Sequence, residues 1–156
     1  MNSLLLVAHG SRRRESNEEI GRLAARVAER AGDRFAVVEH AFLELAEPSI
    51  GDGIERCIAR GATEVTVLPY FLARGTHVAE DVPGEVEPKR AEHPGVTIRI
   101  ADYLGTSEAL PDLLVGLASA DPATGAPTAP APARIDGSTA DPERVAADVA
   151  GATNVA

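Results

Sequence analysis

The stretch at residues 63–83, TEVTVLPYFLARGTHVAEDVP, begins as a buried strand and continues as a loop rich in polar residues. Val65 and Val67 are apolar with high β-propensity, and Pro69 then removes a backbone hydrogen-bond donor. In open α/β sheets, ligands bind beyond the carboxyl ends of the strands. The stretch therefore predicts a ligand site in the loop that contains Arg74, Gly75, Thr76 and His77.

A second loop of the same kind follows the N-terminal run at residues 3–8, SLLLVA. A continuous apolar run is typical of a strand buried on both faces of a parallel sheet. The run ends in His9-Gly10-Ser11, and three consecutive basic residues follow: Arg12, Arg13 and Arg14. Ser16 and Glu19 then have the spacing of a capping box, which predicts that a helix starts at this point.

The rest of the chain alternates between strand-like and helix-like segments. Predicted strands lie at residues 35–42 and 96–101, and predicted helices lie at residues 48–61, 83–93 and 107–118. This order predicts an α/β fold of three layers, with a four-stranded parallel sheet and helices on both faces. From about residue 121 the composition shifts to Pro, Ala, Thr and Gly. We therefore expect an α/β domain at 1–120 and a linker with a weakly ordered tail at 121–156.

Composition excludes several classes of function. The formal net charge is −9 and the pI about 4.9, which disfavours a nucleic-acid partner. No apolar run approaches the ~20 residues of a membrane span, so we expect no membrane partner. Cys57 is the single cysteine, which excludes a disulfide framework and fits a reducing compartment. We expect a cytoplasmic protein.

Three polar residues at the ends of predicted strands suggest a metal site: His9, Glu44 and His77. The carboxyl ends of parallel strands meet at one edge of the sheet. Two imidazoles and a carboxylate there suit Fe²⁺, Co²⁺, Ni²⁺ or Zn²⁺, and the same groups could act as bases. Each residue alone also fits a plain structural role, in a turn, an ion pair or a surface loop. Only their combination at one edge favours a site.

The basic cluster formed by residues 12–14 is the clearest place for an anionic ligand in this acidic chain, and Arg74 can join it from the other loop. For any one of these arginines a solvated surface position is an equally good explanation. Ser11 is interpreted as a loop hydrogen-bonding residue. Structural or surface roles are assigned to His40, His93, Lys89 and Arg90. The phosphate-binding patterns GxGxxG and Walker A are absent.

Three segments, LLLVAHGSRRRESNEEI, AFLELAEPSI and VTVLPYFLARGTHVAEDVP, together resemble the small class II tetrapyrrole chelatases, the sirohydrochlorin cobaltochelatases and ferrochelatases. The resemblance covers residues 3–117. It implies the flavodoxin-like chelatase fold. It also implies a lyase-type reaction, the insertion of Co²⁺ or Fe²⁺ (with Ni²⁺ as a further option) into sirohydrochlorin, in cobalamin or sirohaem biosynthesis.

The resemblance further assigns roles to individual residues. It implies that His9 and His77 are catalytic metal ligands and that Glu44 is a third ligand or a proton acceptor. The implied substrate-binding residues are Ser11, Arg12, Arg13, Arg14, Arg74, Gly75 and Thr76. The divalent metal is then a substrate, with no permanent organic cofactor. Because longer members of the family carry two copies of this unit, one copy implies a homodimer.

Two other functions stay open. Histidine phosphatases also have a nucleophilic His after their first strand, but an Arg directly precedes that His, whereas Ala8 precedes His9 here. A non-catalytic carrier of metal or tetrapyrrole is the second alternative, and the sequence barely distinguishes it from an enzyme.

Overall fold

Four parallel strands form from the β-prone runs of the sequence. The computed structural model of the chain describes residues 1–75 and 77–120, and the side chain of His77 lies outside that description. In the described residues the strands are β1 (Asn2–Ala8), β2 (Val37–Phe42), β3 (Glu64–Pro69) and β4 (Thr97–Ile100), in the order β2-β1-β3-β4. The predicted four-stranded parallel sheet is therefore confirmed, and β4 lies at an edge of it.

Helices connect successive strands and follow the last one. They are α1 (Arg14–Ala31), α2 (Ile50–Ala59), α3 (Val82–Glu92) and α4 (Leu110–Ser119). Short 3₁₀ turns lie at Gly32–Arg34 and Leu104–Thr106, and a π-helical turn at His77–Asp81 leads directly into α3. Parallel strands are joined by crossover connections, so the three helices between strands, α1 to α3, pack against the sheet.

The core has two sides because successive residues of β1 face opposite ways. Leu5 and Val7 belong to the larger apolar cluster, together with Ile54 of α2 and Val82 and Val86 of α3. The alternate β1 residues are also buried, on the opposite face of the sheet: Leu4, Leu6 and Ala8. On that face α1 packs against the neighbouring strand β2. The predicted three-layer α/β architecture is confirmed.

The predicted capping box at the start of α1 is wrong. The helix begins at Arg14, before Ser16, and Arg13 is its N-cap without a side-chain cap. The Ser11 hydroxyl accepts a hydrogen bond from the backbone N–H of Arg13 at 3.1 Å, and the Asn17 amide donates to the Ser11 carbonyl at 2.7 Å. These bonds fix the turn at Ser11, ahead of Ser16, so the helix can start at Arg14. They also confirm Ser11 as a loop hydrogen-bonding residue.

Helix α3 forms although it contains Gly84 and Pro88, because its last turns are tied to neighbouring elements. Lys89 and Arg90 are partly exposed charges, with side chains 22% and 36% exposed, and they also link α3 to neighbouring elements. The Lys89 ammonium lies 2.8 Å from a carboxylate oxygen of Glu55 on α2, and Arg90 Nε donates to the Ile98 carbonyl of β4 at 2.7 Å. His93, at the helix end, lies 2.9 Å from the same Glu55 oxygen. The hydrogen bonds from Lys89 and His93 hold the pKa of Glu55 below its usual value.

Helix α4 differs from the other three. The predicted final helix is present, but none of its residues is buried. Four large apolar side chains are 47–65% exposed: Leu113, Leu114, Val115 and Leu117. Its main contacts among the described residues are with the 3₁₀ turn at Leu104–Thr106.

Residues 1–119 form one compact unit with its own core. The linker and tail predicted at 121–156 lie outside the described residues. Among the helices of the described part of the chain, none combines the length and the apolar character that crossing a lipid bilayer requires.

Candidate active site

The candidate site lies where the strand order changes direction. β1 and β3 are neighbours, and the chain runs from β1 to β2 on one side and from β3 to β4 on the other. Crevices at the carboxyl ends of such neighbouring strands are the usual ligand sites of doubly wound folds. His9 directly follows β1, and Glu44 lies two residues beyond β2.

Backbone pairing between β1 and β2 continues beyond the strands and brings His9 and Glu44 together. The Leu43 N–H donates to the Ala8 carbonyl at 2.9 Å, and the Glu44 N–H donates to the His9 carbonyl at 3.0 Å. Their side chains then meet, with His9 Nε2 3.4 Å from Glu44 Oε1. The two side chains are 48% and 51% exposed, so solvent and solutes can reach both.

The distance of 3.4 Å is longer than an ordinary N–H···O hydrogen bond. It suits a shared metal ion, because two ligand atoms at about 2.0–2.1 Å from a tetrahedral metal lie about 3.3–3.4 Å apart. The pair can therefore offer two of the ligands of a divalent cation without rearrangement. It can equally accept a proton from a substrate that reaches the rim, the edge of the sheet formed by the carboxyl ends of the strands and the loops that follow them.

Gly10 is needed for this geometry. Its φ is +96°, and a Cβ at this position would lie 1.8 Å from the Glu44 carbonyl oxygen. The absence of a side chain at Gly10 therefore lets the loop after β1 approach the backbone of Glu44, the residue that carries the carboxylate.

The loop after β3 forms the other side of the rim. It is joined to β1 by a hydrogen bond of 2.7 Å from the Tyr70 N–H to the Val7 carbonyl, and Arg74 and Gly75 are exposed. The Gly75 carbonyl accepts hydrogen bonds from Val78 and Ala79, at 3.2 and 3.1 Å. The prediction that His77 lies in a loop is wrong, since its backbone begins the π-helical turn His77–Asp81. Turns of this type occur frequently at functional sites. Thr76 lies outside the described residues.

The basic cluster of residues 12–14 lies at the start of α1, and all three arginines are exposed. The Arg14 Nε lies 2.7 Å from a carboxylate oxygen of Glu18, one turn further along the helix. Arg74 is on the other loop, after β3. The predicted arginines therefore lie on both sides of the rim.

Sequence reasoning missed the apolar residues of the rim. Leu45 directly follows Glu44, is 53% exposed and has a φ of +63°. Leu72 and Tyr70, after β3, are 67% and 38% exposed. A left-handed non-glycine residue costs about 1–2 kcal/mol and is often found at a functional site. The signal in the sequence was the apolar pair Leu45-Ala46 between the two acidic residues of the loop ELAE.

A second group of possible metal ligands lies between α2 and α3 and consists of Glu55, Glu92 and His93. The ammonium of Lys89 already contacts both carboxylates, at 2.8 Å from Glu55 and 2.5 Å from Glu92. The lysine supplies the positive charge that a metal would bring. We assign this group to helix packing.

The fold and the rim define an α/β protein with an exposed imidazole–carboxylate pair at the switch point of a parallel sheet. The chain belongs to the CbiX family, whose model matches residues 3–119. The predicted resemblance to the class II chelatases is thereby confirmed.

Related proteins support the same family. The chain is 37% identical over 113 residues to the chloroplastic sirohydrochlorin ferrochelatase of Arabidopsis thaliana, covering 72% of this chain and 49% of that protein. It is 32% identical to the sirohydrochlorin cobaltochelatase of Saccharolobus solfataricus, covering 74% of this chain and 91% of that protein. SirB from Bacillus subtilis with Fe³⁺ has a similar structure, with a TM-score of 0.67, 30% identity and coverage of 73% of this chain and 44% of that one. The chelatase fold is thereby confirmed.

The relatives differ in length. The chain spans about half the length of the ferrochelatases it matches, 49% in Arabidopsis thaliana and 42% in Priestia megaterium. The chain covers 87–91% of three cobaltochelatases, those of Saccharolobus solfataricus, Sulfurisphaera tokodaii and Sulfolobus acidocaldarius, and 57% of the one from Methanocaldococcus jannaschii.

Proposed function

We propose that this protein is a sirohydrochlorin chelatase that inserts Co²⁺ or Fe²⁺ into sirohydrochlorin, for cobalamin or sirohaem biosynthesis in the cytoplasm. The observation that carries the proposal is the exposed His9–Glu44 pair, with 3.4 Å between its nitrogen and oxygen. The pair lies within the part of the chain that matches the CbiX family. Relatives named as ferrochelatases and cobaltochelatases support the choice of reaction.

We assign His9, His77 and Glu44 as the ligands that present the metal. The support for Glu44 is its contact with His9, and the support for His77 is the position of its backbone directly after the loop of β3. A mixed set of two or three ligands on an open rim is suitable because the metal must be released to the macrocycle. The metal is a substrate, and Ni²⁺ would be accepted by the same ligand types. Binding affinity alone does not favour Co²⁺ or Fe²⁺ over competing ions such as Ni²⁺. The supply of metal in the cell therefore decides which ion is inserted.

Insertion also requires proton transfer, because the pyrrole N–H groups lose their protons as the metal enters. A nitrogen that holds the metal cannot accept a proton at the same time. The rim offers an imidazole and a carboxylate in contact, so one can bind the metal while the other accepts a proton. Both are exposed, which lets the proton pass on to water.

Residues of the two loops would bind the macrocycle. The arginines at 12–14 and Arg74 supply positive charge for its carboxylates, while Ser11, Gly75 and Thr76 belong to the same loops. The exposed side chains of Leu45, Tyr70 and Leu72 supply apolar surface for the flat ring.

We further propose that the active form is a homodimer. Its support is the exposed apolar surface of α4 and the doubled length of some relatives. Exposed apolar surface of this extent often marks an interface between proteins. Replacing Leu114 and Leu117 by Glu should lower the mass measured by light scattering to that of a monomer. Asp112→Asn on the same helix should leave the mass unchanged, and an unchanged mass in the Leu variants would count against this interface.

The reaction is tested by an absorbance titration of the purified protein with sirohydrochlorin and Co²⁺, and then with Fe²⁺ without oxygen. We expect multiple turnovers above the spontaneous rate. His9→Ala and His77→Ala should each lower the rate by roughly 100-fold or more, whereas the control His93→Gln should retain activity. Unchanged insertion by the His77 variant would contradict the assignment. Binding without turnover would indicate a carrier.

A further inference from the structure

An open groove of about 740 Å³ lies beside the His9–Glu44 pair. One side is α1 with the loop before it, and the other side is the loop after β2. Its lining includes Arg12, Arg14, Arg22, His40, Leu45 and Glu47. The groove is continuous with the rim, because Ser11 lies two residues after His9, Leu45 directly follows Glu44, and both line it.

The charged residues of the groove favour an anion. Three guanidinium groups line it, against the two carboxylates of Glu18 and Glu47. This local excess of positive charge contrasts with the net charge of −9 of the whole chain. Arg13 and Arg74 do not line the groove. Of the predicted basic residues, only Arg12 and Arg14 therefore contribute to it.

The position of Glu18 shows how a carboxylate would be held. Its two oxygens lie 2.7 Å from Arg14 Nε and 3.9 Å from Arg22 Nη1. The two arginines therefore converge on one carboxylate from adjacent helical turns on either side of it. The two arginine side chains are 89% and 64% exposed, so a carboxylate of a ligand can compete with Glu18 for both guanidinium groups.

The remaining lining is apolar or uncharged. Phe42, Leu45 and Ala46 line the groove, and the His40 ring packs edge-on against Phe42 with ring centres 5.5 Å apart. Partial burial lowers the pKa of His40, which disfavours the charged form of its ring. The volume is within the range of about 300–1,000 Å³ that small-molecule sites have. It exceeds what a single inorganic anion needs.

We propose that this groove binds one edge of the tetrapyrrole, a pyrrole ring with its carboxylate arms, and that Arg22 helps to determine the preference for a polycarboxylate macrocycle. The proposal rests on the proposed function. The apolar lining contacts the ring edge, and Arg14 and Arg22 bind an arm in place of Glu18. The excess of guanidinium groups matches the carboxylate arms of the tetrapyrrole, and the groove continues into the rim where the metal is inserted. Both features favour one edge of the tetrapyrrole as the ligand of the groove.

The test is an equilibrium titration of the full-length protein with metal-free sirohydrochlorin, at low and at high salt. Arg22→Gln should weaken binding about three- to fivefold at low salt, with a smaller loss at high salt. Glu18→Gln should tighten binding about two- to threefold, because it removes the competing carboxylate. The matched control is Arg26→Gln, which lies one turn further along α1, is exposed and does not line the groove. The KM for the macrocycle should follow the same order, with kcat nearly unchanged.

Equal affinities of the Arg22 and Arg26 variants would overturn the proposal, and so would weaker binding by Glu18→Gln. If the wild-type protein inserts metal in either case, the groove site is refuted and the proposed function stands. A wild-type protein that binds no sirohydrochlorin would instead remove both the proposed function and the groove site.

Discussion

At the scale of single residues, two left-handed backbone positions shape the rim of the sheet. Gly10 has a φ of +96° and lies against the backbone of Glu44, and Leu45 has a φ of +63° on the other side of that residue. Glu44 is therefore held between two turns that few residue types would adopt. This arrangement directs its carboxylate to His9 while Leu45 remains exposed beside the groove.

Gly10→Ala should disrupt the His9–Glu44 pair, because the added Cβ would lie 1.8 Å from the Glu44 carbonyl oxygen. The loop must shift, and small displacements of reacting groups are costly. We expect kcat/KM for metal insertion to fall by roughly tenfold or more. The control is Gly84→Ala, where an added Cβ meets no atom within 4 Å. A normal rate of insertion by the Gly10 variant would show that Glu44 need not be held in place.

We expect the stability of the protein to depend on pH through His40. Burial lowers its pKa from the ordinary 6.5, Glu39 opposes this shift and Arg56 adds to it. The unfolded chain therefore binds a proton at a pH where the folded protein does not. This contribution to stability is complete above pH 6.5 and is lost as the pH falls below that value towards the folded pKa. Urea unfolding of the wild type and His40→Gln across this range should show a smaller loss in the variant. Equal losses would assign the effect to other groups.

At the scale of elements, α2 shows why a residue that weakens a helix can still be required. Gly51 and Gly53 both lower helix propensity, so propensity alone counts both against the helix. A Cβ on Gly53 would lie 2.7 Å from Leu5 Cδ1 and 3.0 Å from Ala41 Cβ. Gly53 thus allows α2 to pack closely on β1 and β2, while Gly51 has no such role in the core.

Gly53→Ala should destabilise the protein by about 1–3 kcal/mol, because overpacking the core outweighs the gain in helix propensity of about 1 kcal/mol. Gly51→Ala is the matched control on the same helix. Its Cβ would meet the flexible Lys89 side chain at 3.3 Å, so the propensity gain should leave stability unchanged or raised. The free energy of unfolding from urea titrations separates the two. A Gly53 variant as stable as the Gly51 variant would mean that the interface between α2 and the sheet adjusts at little cost.

At the scale of the whole molecule, the boundaries of the family and of the structure agree. The CbiX match covers residues 3–119, and the compact unit covers residues 1–119. Every residue assigned to the proposed reaction lies within this unit, including those of the groove. The division into an α/β domain at 1–120 and a tail at 121–156 stays a prediction.

A chain that ends at Ala120 should fold and insert metal. We expect its Tm to lie within about 4 °C of that of the full chain, the change that about 1 kcal/mol produces in a domain of roughly this size. The measurements are thermal unfolding and the rate of insertion, with the full chain as the control. A truncated protein that unfolds far earlier or loses its activity would show that residues 121–156 belong to the functional unit.

Local patterns explain which predictions were correct. A continuous apolar run such as residues 3–8 must be buried on both faces wherever it lies, and the polar residues after it must then reach the edge of a sheet. Predictions about contacts between distant segments were less successful. Lys89 is paired with Glu55, 34 positions away, and no pattern near either residue announces the pair.

The sequence by itself determined the strands, the parallel α/β order, the family and the placement of His9 and Glu44 at strand ends, since these follow from hydropathy and motifs within short windows. Only the tertiary structure decided that His9 and Glu44 are in contact, that α1 starts at Arg14 beside a groove, and that α4 leaves its apolar side chains exposed. The physical reason is that these features depend on the packing of segments far apart in the chain, where one added Cβ or one ion pair changes the outcome.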